Sequence, residues 1–349
     1  MLGGGIFVTQ NKILPGSYIN FVNASNATAN LGERGTVAIA LPIGKEAGTV
    51  IEITRSDFIK NSVEILGKEY NSADVKPLRE IFCHATKVYL YDLGIENTMS
   101  ISDAIKGLEP YDFNVICAYT NESDEVSQYI TSVKSWREDM GKKCQAVVYN
   151  QTTPAPNHEG VINVVSTVAD DGADAHALVA WVAGAEAGCD LNESCTNMAY
   201  DGEYDIVCNH NQSELEDCIE NGQIVFHLVY GKVTLLEDIT SLTETTADKG
   251  EDFKSNQTIR IIDQIANDIA KLFNTKYLGK IQNNVDGRES LWADIVKHHR
   301  DLEELEAIEN FDSSLLRVEQ GDTKKSVVVT DVINVVNAMA QLYMTVVVQ

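Results

Sequence analysis

Cys208-Asn209-His210, with Cys195 and Cys218 on either side, gathers metal-ligating residue types within a short stretch. A structural zinc site takes four such ligands at tight spacings, usually as CxxC or HxxxH pairs. Neither pair occurs here and the intervals are irregular, so free thiols are expected and no metal is assigned. Asp170-Asp171-Gly172 with His176 offers a carboxylate and an imidazole, the groups that activate a hydroxyl or thiol nucleophile. No serine or cysteine in such a setting accompanies them, and the acidic run is read as capping a helix that starts near Asp174. His298-His299 falls in a helical pattern, where adjacent side chains point about 100° apart. The two are therefore read as exposed helix surface beside Lys297 and Arg300, not as a chelating pair.

Phosphate and acyl-transfer chemistry find no better footing. No GxGxxG follows a predicted strand, no GxxxxGK[ST] is present, and no GxSxG nucleophile elbow exists. Trp136, Trp181 and Trp292 sit on helical patterns and are expected to anchor cores. The sequons at Asn26, Asn121, Asn150, Asn192, Asn211 and Asn256 carry no weight without a signal peptide. No catalytic residue and no cofactor is assigned.

The elements that would position any site come from a chain of 349 residues, long enough for two or three domains. Apolar residues make up 44% and charged residues 23%, an ordinary balance for a packed globular protein. No uncharged apolar run reaches the roughly 18 residues of a membrane span, and the first residues lack a secretory signal pattern. A cytoplasmic site of synthesis is expected, and seven cysteines in no disulfide spacing agree with it. The net charge of −25 is uneven: residues 1–85 balance to zero, residues 86–240 carry −19 and residues 241–349 carry −6. So acidic a middle segment should face water, and it opposes phosphate binding, so no nucleic-acid partner is expected.

Four segments follow. Residues 1–30 read as an arm: β-prone 6–10, a turn at Leu14-Pro15-Gly16, alternating 17–22 and a polar linker. Residues 31–86 predict a small β-rich, β-sandwich-like domain with strands at 35–42 and 49–54 and short helices at 57–66 and 75–85. Residues 87–240 alternate strands (87–93, 113–119, 144–149, 161–165) with helices (100–107, 123–140, 173–187), the pattern of a parallel α/β sheet covered on both faces. They close in a hairpin, 224–229 and 233–236, turned at Tyr230-Gly231-Lys232. Residues 241–349 predict an α+β unit with helices at 257–273 and 286–308, a hairpin around Gln320-Gly321-Asp322, and a terminal β arm from about 340 to 349.

Both ends are extended, β-prone and lightly charged. A lone strand needs backbone partners. It finds them within its own chain or by adding to a neighbour's sheet, and head-to-tail addition of that kind generates helical filaments. The residues placed in such inter-subunit strands are Ile6, Phe7, Val8, Tyr18, Ile19, Phe21, Tyr343, Met344, Val346, Val347 and Val348.

Gly3-Gly4-Gly5-Ile6-Phe7-Val8-Thr9-Gln10-Asn11-Lys12, then Pro15-Gly16-Ser17-Tyr18-Ile19-Asn20-Phe21, resembles the start of contractile phage tail sheath proteins from Gram-positive bacteria and their prophage-like particles. The C-terminal third agrees in Asp268-Ile269-Ala270-Lys271-Leu272-Phe273-Asn274, Tyr277-Leu278-Gly279-Lys280, Asp286-Gly287-Arg288, Ala307-Ile308-Glu309-Asn310-Phe311 and residues 338–346. The resemblance implies arm, small β-sandwich, subtilisin-like α/β domain and C-terminal domain, in that order. It implies hexameric rings stacked around a tail tube, linked by arms that complete neighbouring C-terminal sheets. Contraction would drive the tube through a target envelope, with tube, baseplate and tail terminator proteins as partners and no membrane insertion by the sheath itself. The particle would be a virion tail or R-type bacteriocin assembled in a bacterial cytoplasm. Lys271, Lys276 and Lys280 are the candidate tube-facing residues. Two other readings stay open on the residues alone: an α/β hydrolase-like enzyme with self-folded termini, and another self-assembling shell protein.

Overall fold

The computed structural model describes residues 31–151, 156–170 and 173–346. Its centre is a sheet whose strands are apolar on both faces, because helices cover both. In chain order these strands are β1 (Thr36–Leu41), β2 (Val50–Thr54), β3 (Lys87–Asp92), β4 (Val115–Cys117), β5 (Gln145–Tyr149), β6 (Val161–Val164) and β7 (Gln223–Ile224). Their spatial order is β2-β3-β1-β4-β5-β6-β7, parallel throughout except for β2, which runs antiparallel at the β3 edge. Register alternates the side chains between two cores. Val37, Val88 and Val115 align on one face, and Ala38, Tyr89 and Ile116 on the other.

The first face packs against α1 (Arg55–Leu66), α2 (Lys76–Ile81) and α5 (Leu178–Gly188) through Phe58, Leu78, Ile81, Leu178 and Trp181. The second packs against α3 (Ile101–Leu108) and α4 (Ser123–Ser135) through Ile105, Leu108, Val126, Tyr129 and Val133. Each fully buried aliphatic or aromatic side chain of this kind contributes roughly 1.5–3 kcal/mol. Local signals start α2 and α3 where the sequence placed them, and α6 (Gln212–Glu220) forms in a stretch read as loop-rich. Ser100 and Asp103 form a reciprocal capping box on α3, Asn211 and Glu214 do the same on α6, and Pro77 occupies the first turn of α2.

Two expectations are corrected. Residues 31–86 do not fold as a separate small β-sandwich-like domain: β1 lies inside the central sheet between β3 and β4, and β2 pairs with β3. The reason is burial on both faces from Val37 to Leu41, which needs neighbours on either side. Helix α5 begins at Leu178 without a side-chain cap, so Asp174 does not cap it; its burial on all sides, not a terminus signal, stabilises it.

Ile224 belongs to the central sheet, and the hairpin starts two residues later, as β8 (Phe226–Val229) and β9 (Lys232–Leu235). Its turn residues Tyr230 and Gly231 both have positive φ, 48° and 80°, which matches the twist of a two-residue hairpin loop. The C-terminal unit is built on α7 (Asn256–Leu272) and α8 (Val285–Glu304). Two small antiparallel pairs complete it: β10 (Ile308–Glu309) with β13 (Asn334–Val335), and β11 (Arg317–Gln320) with β12 (Val327–Thr330). Leu302, Ala307 and Ile308 pack onto the Ile259, Ile262 and Ile265 face of α7.

Candidate assembly interface

After β13 the chain makes three last contacts with the body. The Val336 N–H donates to the Ala307 carbonyl at 3.0 Å, Asn337 bonds the Thr258 hydroxyl, and the Ala338 N–H donates to Gln257 at 2.8 Å. From Met339 to Val346 no helix or strand forms, and every residue is exposed. Met339, Leu342, Tyr343, Met344 and Val346 therefore present bare apolar side chains, with Met339 101% and Tyr343 88% accessible. Among the described residues no strand of the same chain pairs with this segment. Nearby, β10 and β13 pair only with each other among the described residues, which leave both outer edges of this small sheet uncovered.

Of the residues assigned to inter-subunit strands, Tyr343, Met344 and Val346 fall in this exposed segment. Ile6, Phe7, Val8, Tyr18, Ile19, Phe21, Val347 and Val348 lie outside the described residues. Lys271, Lys276 and Lys280 are all exposed around the end of α7. Lys276 pairs with Asp294, which holds its ammonium above the usual lysine range, and Lys280 donates to the Thr275 carbonyl.

The residues that adjoin the two terminal segments are tied down by buried polar groups that the sequence did not reveal. Asp268, on α7, accepts the Gly32 N–H with both oxygens at 3.1 Å and faces His298 Nε2 at 3.1 Å. His299 Nε2 lies 2.8 Å from Asp331, two residues before Ile333 and the approach to β13. Both histidines are fully buried, which corrects their reading as exposed helix surface. Leu291, Ile295 and Leu302 are buried on the same helix, and His298 and His299 fall within that inward stripe. Their i+3 and i+4 spacing from Ile295 was the signal that marks them as inward, and their polar type is what argued for the surface.

Two further buried ionic groups join α7 to the α/β unit. Arg260 donates to Glu186 at 2.8 Å, Asp238 at 3.0 Å and the Glu193 carbonyl at 2.9 Å. Burial pushes Glu186 up, while Asp238, desolvated as well, is carried below the usual carboxylate range by Arg260 and its hydrogen bonds. Arg137 meets Asp263, Glu159 and, through Glu159, Lys249. Burial raises Glu159, but Arg137, His158 and Lys249 outweigh it and hold the carboxyl at about 2.

Among the described residues the ligand-type side chains that converge are Glu186, Cys195 and Asp238, not Cys208, His210 and Cys218. Arg260 already sits against all three, 3.6 Å from the Cys195 sulfur, so the positive charge a cation would bring is supplied by the protein. All seven cysteines are free thiols. At the carboxyl end of β4, where α/β sheets place their ligands, Tyr119 packs edge-on against His176 at 4.5 Å and Asp174 lies 3.9 Å from His176 Nε2. Among the described residues that imidazole makes no hydrogen bond to a serine or cysteine nucleophile, the contact a catalytic dyad requires.

Comparison with known proteins gives a consistent picture. Residues 96–241 match the phage tail sheath protein central domain and residues 248–349 the phage tail sheath C-terminal domain. The uncharacterized protein YqbK of Bacillus subtilis (strain 168) is 30% identical over 237 residues, 63% of this chain and 50% of that protein. The tail sheath protein of Clostridium phage phiCD119 is 27% identical over 190 residues, 54% of this chain and 52% of that protein. The chain thus spans about half the length of the curated relatives it matches. Among solved structures, the sheath tail protein of Desulfitobacterium hafniense superposes with a TM-score of 0.79 at 24% identity, covering 94% of this chain and 99% of that one. The helical sheath of the anti-feeding prophage in its contracted state gives 0.68 at 13% identity, over 100% and 99% of the two chains. These likenesses fix a mixed α/β tail-sheath fold.

Proposed function

We propose, for a chain that belongs to the phage tail sheath family, that it is a structural subunit of a contractile tail sheath. Subunits stack as hexameric rings around a tail tube and are linked by strand exchange between terminal arms and neighbouring C-terminal units. The observation that carries this reading is the segment from Met339 to Val346: largely apolar, exposed and without a strand partner among the described residues of its own chain. Such a segment gains stability by adding to an open sheet edge on another copy, and the β10–β13 pair offers one. Because the contact is head-to-tail, it propagates as a helix instead of closing.

Backbone pairing survives changes in side-chain contacts, so arms joined this way serve as hinges while the bodies repack on contraction. The acidic stretch 86–240 would face outward, and Lys271, Lys276 and Lys280 would face the tube, whose subunits, with baseplate and tail terminator proteins, are the partners of this reading. The subtilisin likeness of the central sheet, without a catalytic role, belongs to it too, as does assembly in a bacterial cytoplasm.

Negative-stain electron microscopy of the purified chain tests it. Long tubes of helical symmetry are expected for the full chain, and none after removal of residues 339–349, while the circular dichroism and unfolding midpoint of the body stay the same. Flat sheets or closed shells from the full chain would point to another kind of polymer, and tubes from the shortened chain would sink the strand-exchange reading.

A further inference from the structure

We propose that His298 and His299 form a proton-bridged pair that joins the roots of the two terminal segments, so that the hold on one depends on the hold on the other. Gly32 directly follows residues 1–30 and Leu31, and Asp331 lies just before β13 and the exposed C-terminal segment. Each root is held by one histidine, and the two rings meet with their Nδ1 atoms 3.4 Å apart.

Hydrogen-bond counting sets the protons. Asp268 takes the Gly32 N–H on both oxygens and the Gln264 amide at 3.0 Å. A carboxyl surrounded by donors in this way has no acceptor to receive a hydrogen of its own, so His298 donates to it from Nε2. The Nδ1 of His298 then carries a lone pair. His299 Nδ1 faces that lone pair in a site closed to water, where two bare nitrogens would repel, so His299 supplies the hydrogen there. Its Nε2 is 2.8 Å from Asp331, and a second proton lies in that contact. The two rings and two carboxylates thus share one proton more than two neutral imidazoles would bring.

The surroundings close the site. Asp268 faces it from α7, Asp331 from the strand approach, Asp301 acts on His298 from α8 itself, and Phe311 packs edge-on to His299 at 4.8 Å. A zinc ion held between the two Nδ1 atoms would suit a separation of 3.4 Å, but zinc needs four ligands. Among the described residues no third metal-ligating side chain joins the pair.

The device lies within one chain and can be absent while the sheath reading stands. It is tested by amide hydrogen exchange on the full chain near neutral pH. His299→Gln keeps a donor for Asp331, since the glutamine amide takes the place of Nε2, and removes only the Nδ1 hydrogen. Gly32 should then exchange about tenfold faster, although its own partner Asp268 is untouched. The reciprocal His298→Gln should speed exchange at Val332, whose N–H bonds Asp331. Either variant suffices if the other fails to fold. Unchanged Gly32 protection in His299→Gln, or unchanged Val332 protection in His298→Gln, overturns the coupling. In wild type, imidazole ¹⁵N spectra should show one ring protonated on both nitrogens and its neighbour bare at Nδ1. Two neutral rings, or one stoichiometric metal ion in the purified chain, would overturn it as well.

Discussion

Arg137 and Asp263 form a two-pronged ion pair across the junction of the α/β unit and α7, with N···O distances of 2.5 and 2.8 Å and both side chains less than a tenth exposed. Breaking a buried pair strands the remaining charge, so Asp263→Asn should cost about 3–5 kcal/mol. The urea midpoint should fall with an unchanged slope. Replacing both residues by apolar ones of similar size should recover much of the loss, because the desolvation of both charges disappears with them. A midpoint unmoved by Asp263→Asn would refute the structural weight given to this contact.

Helix α5 crosses α2 with Gly184 against the backbone: a Cβ there would lie 2.3 Å from the Ile81 carbonyl oxygen. Gly184→Ala forces the helices apart, and a loss of about 1–3 kcal/mol is expected on the scale of overpacked cores. Thermal unfolding followed by circular dichroism measures it.

Acid should destabilise the chain through His298 and His158, two buried rings whose protonation burial opposes. Burial lowers His298 below the ordinary histidine range, with Asp268 pulling the other way, and burial lowers His158 to about 4. The unfolded chain, whose histidines titrate at about 6.5, then takes up protons before the folded one does. The part of the stability carried by these two rings is therefore full above that value and is lost as the pH drops below it. Urea unfolding from pH 7.5 to about 5 should show this slope in wild type and a shallower one in His298→Gln. Identical slopes would exclude His298 as a contributor.

A proline in place of Met344 removes one backbone donor from the exposed segment without touching the body, since Met344 is 76% accessible. Met344→Pro should leave the unfolding midpoint within about 0.5 kcal/mol of wild type and shorten or abolish tubes under the microscope. Tubes of normal length and yield would remove residue 344 from the pairing strand.

Changing Lys271, Lys276 and Lys280 together to alanine should leave the fold intact, because all three are exposed, and should weaken co-sedimentation with tail tube in a salt-dependent way. Undiminished co-assembly would remove these lysines from the tube face.

Strands β1 and β3 to β6, helices α1 to α4, and the two long C-terminal helices were legible because each has a strong local signal. An unbroken apolar run marks Val37–Leu41, and the Ser100–Asp103 box and Pro77 mark helix starts. The assignment of β1 and β2 to the central sheet was not legible, since strand order depends on which edges meet in space. The buried polar sites were equally hidden. Asp263, Asp268, His298 and His299 are residue types that ordinarily face water, and only partners far along the chain justify their burial.

By itself the sequence determined the alternation of strands and helices, the lack of recognisable catalytic motifs, and a family likeness carried by its arm and C-terminal third. Apolar period and cap chemistry are local, and local order is enough to read them. The tertiary structure decided that β1 sits mid-sheet, that two histidines lie inside, and that residues 339–346 find no strand partner among the described residues. Those facts depend on distance between residues remote in the chain, which no local pattern encodes.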